Sequence, residues 1–195
     1  MNRTQSAKRK GPEEFFVCAL QVLDEPGGTR DLTIATLCHR LTVTKGSFYH
    51  HFAGWDDFVK GLMDYWEAQQ IERTSAQLHK AQTAALHLGS IVELASNVPH
   101  RTENAIRAWA ITHEVVAQAQ ARIDARRVAY AEVLLSYLVN DLPFVKRLAT
   151  MSIALFIGLQ HMEPRPDPEQ IRDIMNGYLH EVVGPALDKK RPGVS

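Results

Sequence analysis

Between residues 44 and 51 the chain gathers side chains that suit contact with a nucleic acid. Lys45 brings a positive charge, Ser47 and Tyr49 bring hydroxyl groups, and His50 brings an imidazole. On a helix these groups remain exposed, while the apolar Phe48 turns toward a neighbouring element. Donors of these types bind phosphate oxygens and base edges. The pattern therefore predicts a short helix that presents a polar face to a nucleic acid.

Two short helices and a longer one must position this face. Apolar spacing predicts helices near 33–39 and 44–50, joined by a turn of about four residues, and a first helix over 13–25. Thr33 and Thr44 are of a type that caps helix N-termini. The side chains predicted to pack the two short helices against the first are Ile34, Leu37, Cys38, Val43, Phe48 and Phe52. This is the helix-turn-helix arrangement, whose second helix enters the major groove of DNA.

The stretch VTKGSFYHHF, residues 43–52, resembles the recognition-helix signature of the TetR family of bacterial transcription regulators. In that signature valine, serine, lysine, glycine, threonine, leucine and tyrosine precede two variable residues and a phenylalanine. The flanking stretches 37–41 and 55–58 are similar to the family's conserved neighbours, and the resemblance covers residues 13–65. It implies a homodimer with N-terminal DNA-binding heads and a larger C-terminal domain that binds a small effector.

The resemblance also implies roles for individual residues. Tyr49 and His50 would donate to phosphates, and Lys45 would reach a phosphate or a guanine. Ser47 would contact a phosphate or a base edge, and Gly46 would let the helix approach closely. The full set of expected DNA-binding residues is Thr33, Thr44, Lys45, Gly46, Ser47, Tyr49, His50 and Trp55.

Two positions depart from the family's pattern. Thr42 stands where the family usually has glycine, and a β-branched residue with positive φ costs about 1–2 kcal/mol. Either the turn is reshaped or the strain is tolerated. Trp55 stands where a lysine commonly contacts phosphate, and its indole donates a single hydrogen bond. Backbone N–H groups after Gly54 could still hold a phosphate. We therefore expect fewer phosphate contacts and a weaker salt dependence than in a typical member.

The overall charge excludes a protein that coats nucleic acid by charge alone. The 195 residues hold 22 Lys and Arg against 22 Asp and Glu, so the formal net charge is zero. A local basic patch suffices for specific binding. Residues 1–10 contain four basic side chains and no acidic one. The segment 1–12 is therefore either an arm that enters the minor groove or a solvated tail.

Helical spacing of apolar residues continues to the end of the chain, and alternating runs typical of strands are missing. A long helix is predicted from Trp55. The later helices are predicted at 84–97, 102–112, 114–139, 143–162 and 167–187. We expect an all-α fold, with a three-helix DNA-binding domain over 1–54 and an effector-binding and dimerisation domain over 55–190.

Two features of the second domain invite a functional interpretation. An effector pocket is predicted from Met63, Tyr65, Trp66, Trp109, His113 and Phe156, although aromatic stripes at helical spacing also form ordinary cores. A dimer surface is predicted from apolar stripes in the last two helices, which could equally close the domain's own core. The stripes are Leu148, Met151, Ala154, Leu155 and Gly158, and Ile171, Ile174, Met175, Tyr178, Leu179 and Val182.

Other chemistry lacks the required spacing. No nucleophile triad, P-loop or Rossmann glycine pattern occurs, so we expect no catalytic residue and no cofactor. His50 and His51 point about 100° apart on a helix and cannot share a metal ion. Cys18 and Cys38 are expected to be small core residues of a reduced, cytoplasmic protein. No membrane span is expected, because no uninterrupted apolar stretch is long enough.

The sequence thus predicts a ligand-responsive transcriptional regulator, a repressor that a small effector releases from double-stranded DNA. Three alternatives remain: an activator of the same fold, a helical scaffold that binds protein rather than DNA, and an all-helical enzyme whose active residues the sequence pattern does not identify.

Overall fold

The structure is a computed structural model that describes residues 11–80, 89, 92–93, 95–137, 140–162 and 164–185. Within these ranges every regular element is helical, as predicted. The α-helices are α1 (Pro12–Asp24), α2 (Ile34–Leu41), α3 (Lys45–His51), α4 (Trp55–Lys80), α5 (His100–Ala110), α6 (Glu114–Ser136), α7 (Leu142–Gln160) and α8 (Pro168–Gly177). A 3₁₀ turn spans Gly28–Arg30. The helix predicted at 84–97 lies partly outside the described residues, and its described residues 89, 92–93 and 95–96 are helical.

Threonine side chains determine where the two short helices begin. The Thr33 hydroxyl oxygen accepts a hydrogen bond from the Thr36 N–H at 3.1 Å. The Thr44 hydroxyl oxygen accepts from the Ser47 N–H at 3.3 Å. Each bond satisfies an N–H group that would otherwise lack a partner at the helix terminus. Both predicted caps are confirmed.

The chain divides into two compact units, and the division differs from a single boundary after residue 54. The first unit comprises Met1–Trp66 and Arg101–Ala117, and the second comprises Glu67–His100 and Gln118–Ser195. The first unit therefore includes the start of α4 and most of α5, which are distant in sequence from the helix-turn-helix. Within that unit the Thr102 hydroxyl donates to a carboxylate oxygen of Asp24 at 3.0 Å, so α5 is tied to α1.

A cluster of phenylalanine rings forms the core around the helix-turn-helix. The Phe15 ring lies 5.7 Å from both Phe48 and Phe52, in edge-to-face contact. Phe48 also lies 5.4 Å from Phe58 of α4. Such aromatic pairs stabilise a core by about 0.5–1.5 kcal/mol beyond the area they bury. Of the six residues predicted to pack here, Leu37, Cys38, Phe48 and Phe52 are buried, and Ile34 and Val43 are half-buried.

The second unit has two apolar clusters that share α6, α7 and the C-terminal helix. The first contains Val92, Ala95, Leu134, Phe156, Leu159, Ile171 and Met175. The second contains Ala131, Leu135, Val145, Leu148, Ala149 and Val183. By length and composition alone α7 is apolar enough to cross a membrane. Core helices of folded proteins pass the same test, and α7 contributes buried residues to both clusters.

The C-terminal helix begins as predicted but does not continue as one regular α-helix. The Asp167 carboxylate caps α8 by accepting from the N–H groups of Glu169 and Gln170, both at 2.9 Å. The helix predicted over 167–187 is present over 168–185, but α8 ends at Gly177 and the next turns widen to a π-helix over Tyr178–Val183. Such wider turns accommodate tertiary contacts within a helix. Here the segment buries Val183 in the second cluster.

Candidate nucleic-acid interface and ligand cavity

The turn between α2 and α3 adopts a conformation that glycine normally supplies. Thr42 has φ 56° and ψ 46°, which is the left-handed region. The Val43 N–H donates to the Cys38 carbonyl oxygen at 2.9 Å, and the Thr42 N–H donates to that of His39 at 3.2 Å. These two bonds form a Schellman motif, which ends a helix and reverses the chain. Of the two outcomes anticipated for Thr42, tolerated strain is therefore the one found.

The buried side of α3 holds the helix in a fixed orientation. Phe48 is fully buried, whereas the neighbouring Tyr49 is 56% exposed. Lys45, Gly46 and His50 are also exposed, and Ser47 is half-buried. Consequently the polar side chains of α3 lie on the side opposite the phenylalanine core. A helix with this arrangement can approach a duplex without unpacking its own core.

A buried thiol links the two short helices. The Cys38 thiol donates to the carbonyl oxygen of Thr44, with 3.5 Å between sulfur and oxygen. Burial raises the pKa of Cys38, and the same cause raises the pKa of Cys18 in α1. Both cysteines are free. They therefore act as neutral core side chains, as their apolar surroundings in the sequence predict.

Trp55 packs within the first unit. Its ring is half-buried and lies 5.2 Å from Phe58 and 6.5 Å from Trp109. The same first turn of α4 carries two exposed acids, Asp56 and Asp57. This turn has two negative charges and no basic residue, so electrostatics weaken any phosphate contact there. That agrees with the expectation of fewer phosphate contacts, which stays a prediction.

An ion pair joins α2 to the residue that follows α1. The Arg40 guanidinium donates two hydrogen bonds to the Glu25 carboxylate, both at 2.6 Å. The hydrogen bonds from Arg40 lower the pKa of Glu25. This bidentate pair was not anticipated from the sequence, since its members lie fifteen residues apart. The basic segment 1–10 is outside the described residues.

Five of the six residues predicted to line an effector pocket lie in the first unit. Met63 and Trp66 are buried in its core. Tyr65 packs on Phe16 at 5.5 Å, and Trp109 packs on His113 at 5.4 Å. Phe156, the sixth residue, lies in the second unit.

The second unit contains a cavity of about 290 Å³. Phe156 is part of its wall, together with Val98, Tyr130, Ile153 and Met175. Its polar lining includes Gln70, Arg73 and Arg127. The volume is close to the lower end of the range for small-molecule sites, and the mixture of apolar walls with a few polar groups is typical of them.

Most of this lining was missed because it comes from helices that are remote in sequence. Gln70 and Arg73 belong to α4, Arg127 and Tyr130 to α6, and Phe156 to α7. One signal was available: Gln70, Arg73 and Thr74 repeat at helical spacing on a helix that otherwise packs apolar residues. Among the described residues no group of His, Cys, Asp and Glu is placed to hold a metal ion.

Comparisons with known proteins bear on the fold. No family model and no curated protein matches the sequence. Solved structures do match, among them a TetR-family transcriptional regulator from Rhodococcus sp., with a TM-score of 0.74 and 16% identity over 89% of this chain and 98% of that one. A transcriptional regulator from Rhodococcus sp. Rha1 gives a TM-score of 0.73 and 15% identity over 89% and 96% of the two chains.

A third similar structure holds a ligand. A transcriptional regulator from Saccharomonospora viridis in complex with choline matches with a TM-score of 0.71 and 16% identity, over 88% of this chain and 96% of that one. At such low identity the likeness is one of fold. The resemblance carried by residues 43–52 agrees with it independently. The chain has the fold of the TetR-family transcriptional regulators.

Proposed function

We propose that the protein is a DNA-binding transcriptional regulator that reads its operator with α3. The observation that carries this proposal is the orientation of that helix, with Phe48 fully buried and Tyr49 56% exposed. A helix held by its apolar side, following a helix-turn-helix turn, offers its outer side to the major groove. The proposal is also supported by the regulators of similar fold.

On this proposal the outer face divides between the phosphate backbone and the bases. Tyr49 and His50 donate to phosphates, which positions the protein without reading sequence. Lys45 and Ser47 lie one turn nearer the helix N-terminus and reach phosphate or base edges. Thr33 and Thr44 cap their helices, so their main role is to hold the two helices in place. Gly46 adds no side chain between the helix and the duplex.

We propose that the protein acts as a homodimer, because two recognition helices about 34–36 Å apart are needed to reach successive major grooves. The predicted stripe on α7 divides in the structure. Leu148 packs inside the unit's own core, whereas Met151, Ala154 and Gly158 are exposed. Exposed apolar residues at this spacing support a helix–helix interface with a second copy.

The dimer is testable by placing a charge on that face. Ala154→Glu should convert the dimer to a monomer in light scattering after size-exclusion chromatography, because it buries a carboxylate in an apolar interface. Ala125→Glu adds the same charge at an exposed alanine of α6, outside that stripe, and should leave the mass unchanged. A wild-type protein with the mass of a monomer would contradict the dimer.

We propose that a small molecule in the cavity of the second unit releases the protein from DNA, so that the regulator is a repressor. A ligand can shift the protein between two states only by its differential affinity for them, typically about 1–3 kcal/mol of coupling. The choline complex of the Saccharomonospora viridis regulator supports the idea that this fold holds small ligands.

The decisive experiment for DNA binding is a mobility-shift titration on the DNA that flanks the protein's own gene. The expected result is specific retardation that weakens steeply with salt, because bound phosphates release counterions. Tyr49→Ala should weaken binding to all sequences alike, whereas changes at Lys45 or Ser47 should alter base preference.

The alternatives give different results in the same system. A protein-binding scaffold would cause no specific retardation at low salt and would bind its partner with little salt dependence. Transcription in vitro from the bound promoter separates a repressor, which lowers transcript yield, from an activator, which raises it. Loss of retardation at low salt would contradict the whole proposal.

A further inference from the structure

The cavity of the second unit has one polar side and otherwise apolar walls. Phe156, Ile153 and Met175 supply apolar surface, and the polar side chains come from α4 and α6. All of the described lining residues belong to the same unit, so the cavity is a feature of that unit alone. Its chemistry can therefore be deduced from the hydrogen-bonding capacity of those polar groups.

The pairing of Arg127 with Gln70 determines which way the Gln70 amide faces. A nitrogen of the Arg127 guanidinium donates to the Gln70 side-chain oxygen at 3.2 Å. Arginine has no acceptor atom, so the amide oxygen must face it and the NH₂ group must point away. That NH₂ nitrogen is buried without a hydrogen-bond partner, in a residue that is 8% exposed. Gln70 thus offers two unused donors at the cavity.

Tyr130 supplies a second unsatisfied group. Its hydroxyl oxygen is buried without a hydrogen-bond partner, and desolvation raises the pKa of the phenol. The hydroxyl therefore keeps its proton and is available as a donor. A buried polar group without a partner costs folding free energy, and such groups in folded proteins call for an explanation. A ligand that accepts hydrogen bonds would satisfy both Tyr130 and Gln70.

The carboxylates at and near the cavity wall are already paired. The proton of the Ser152 hydroxyl is also used, in a hydrogen bond to the Leu148 carbonyl at 2.9 Å. Glu93 is the acidic residue among the described lining side chains, but it is half exposed and pairs with Arg172 at 3.4 Å. Asp124, which lies 3.5 Å from Arg127, also accepts from Gln120. The buried polar side therefore presents donors and positive charge.

The aromatic wall does not favour a cationic ligand. Aromatic faces attract cations, but the guanidinium carbon of Arg127 already lies 5.5 Å from the centre of the Phe156 ring. A second cation at that face would be repelled by Arg127 and by Arg73, which also lines the cavity. The site thus differs in charge from one suited to a quaternary ammonium such as choline.

We propose that this cavity takes a small organic carboxylate with an apolar body, whose oxygens accept hydrogen bonds from Arg127, Gln70 and Tyr130. Charge-assisted bonds to a guanidinium are the strongest of these, and the apolar body lies against Phe156, Ile153 and Met175. The role of this ligand as an effector rests on the proposed regulatory function, whereas its binding does not.

Three probes with a common eight-carbon chain test the class of ligand. Octanoate, octanamide and octyltrimethylammonium would each be titrated into the full-length protein, without DNA, by calorimetry. The expected result is that octanoate binds at least tenfold more tightly than octanamide, and that the ammonium binds most weakly. Equal affinities, tighter binding of the ammonium, or no binding of octanoate at millimolar concentration would overturn the proposal.

Variants locate the binding site. Arg127→Gln should weaken octanoate binding about tenfold or more and leave octanamide binding nearly unchanged, which a general loss of packing would not do. Tyr130→Phe removes a single oxygen atom and should weaken octanoate binding several-fold. It replaces Arg127→Gln as the test variant if Arg127→Gln does not fold. Lys146→Gln removes a positive charge from an exposed position on α7 and should leave octanoate affinity unchanged. If Tyr130→Phe and Lys146→Gln behave alike, the carboxylate is not bound at this site.

The test of ligand binding and the test of DNA regulation can fail independently. Carboxylate binding together with failure to retard any DNA would contradict DNA regulation and keep the ligand assignment. Specific DNA retardation together with equal affinity for the three probes would overturn the ligand assignment and keep DNA regulation.

Discussion

The outer face of α3 and the cavity of the second unit are both polar surfaces built on apolar supports, but they differ in how the chain assembles them. The face of α3 comes from one stretch of seven residues, and its orientation depends on one fully buried ring, Phe48. The cavity takes side chains from α4, α6, α7 and α8. Two of its donors, the Gln70 amide nitrogen and the Tyr130 hydroxyl, lack a hydrogen-bond partner, whereas the Ser47 N–H at the start of α3 is capped by Thr44.

A local motif and a site assembled by tertiary packing are therefore under different constraints. At α3 the stability of the helix and the exposure of its functional groups are compatible, since each residue serves one or the other. At the cavity, Gln70 and Tyr130 hold buried polar atoms without partners, so the groups suited to ligand binding reduce the stability of the empty protein. Substitutions in the two regions should therefore have opposite effects on stability.

The largest effect is expected from truncating the support of α3. Phe48→Ala removes a fully buried ring that packs on Phe15, Phe52 and Phe58, and should lower the free energy of unfolding by about 3–5 kcal/mol. Chemical denaturation followed by circular dichroism measures this loss. Tyr49→Ala at the adjacent exposed position is the control and should change stability by less than about 0.5 kcal/mol. Equal losses in the two variants would contradict the assigned orientation of α3.

Replacing Thr42 in the strained turn should stabilise the protein, in contrast to Phe48→Ala. Thr42→Gly relieves a β-branched residue held at φ 56°, which costs about 1–2 kcal/mol, but adds the entropy that glycine loses on folding. The net expectation is a gain of about 0.5–1 kcal/mol in denaturant unfolding. Thr42→Ala, which has a β-carbon, should gain less. A destabilised Thr42→Gly protein would mean that the threonine side chain contributes an interaction that outweighs the strain.

At the cavity, removal of an unsatisfied group should stabilise the empty protein. Tyr130→Phe deletes a buried hydroxyl that has no hydrogen-bond partner, and should raise the free energy of unfolding by roughly 0.5–1 kcal/mol in the absence of ligand. Tyr178→Phe is the matched control, because the Tyr178 hydroxyl donates to the Leu148 carbonyl and its loss should not stabilise. If Tyr130→Phe lowers stability, the hydroxyl is satisfied in solution and the contrast with α3 fails.

The smallest effect concerns the exposed pair of Glu25 and Arg40. Because hydrogen bonds from Arg40 lower the pKa of Glu25 in the folded state, the pair's contribution is present above the ordinary carboxyl pKa of 4.5. It is lost as the pH falls through the lower folded value. The difference in melting temperature between the wild type and Glu25→Gln should therefore shrink as the pH is lowered from 6 toward 3. A difference that is independent of pH would contradict the pairing.

The sequence predicts the local helix α3 better than the cavity that remote helices build. The positions of Thr33, Thr44, Phe48 and Tyr49 were predictable, because caps and helical periodicity act within a few residues. The strain at Thr42 was anticipated as one of two outcomes, since the neighbouring packing decides whether a turn is reshaped or strained. The choice between them required the hydrogen bonds of the folded turn.

The cavity was not predictable in the same way. The aromatic residues Trp66 and Trp109 predict an effector pocket, but they do not line this cavity. Trp66 is buried in the core of the first unit, and Trp109 lies near Trp55. Which side chains meet depends on how remote helices pack, and no local pattern brings Gln70, Arg127 and Phe156 together. The π-helical segment after Gly177 was not predicted for the same reason, because tertiary contacts determine its geometry.

The salt dependence of DNA binding shows whether the exposed face of α3 contacts the phosphates of the duplex. Fluorescence anisotropy of a labelled operator fragment would give the dissociation constant of the wild type, Lys45→Gln and Lys146→Gln over a series of salt concentrations. If Lys45 contacts a phosphate, Lys45→Gln should bind more weakly and reduce the slope of log K against log salt by about 0.9, with Lys146→Gln matching the wild type. Equal slopes and affinities for Lys45→Gln and the wild type would contradict a phosphate contact by this face of α3.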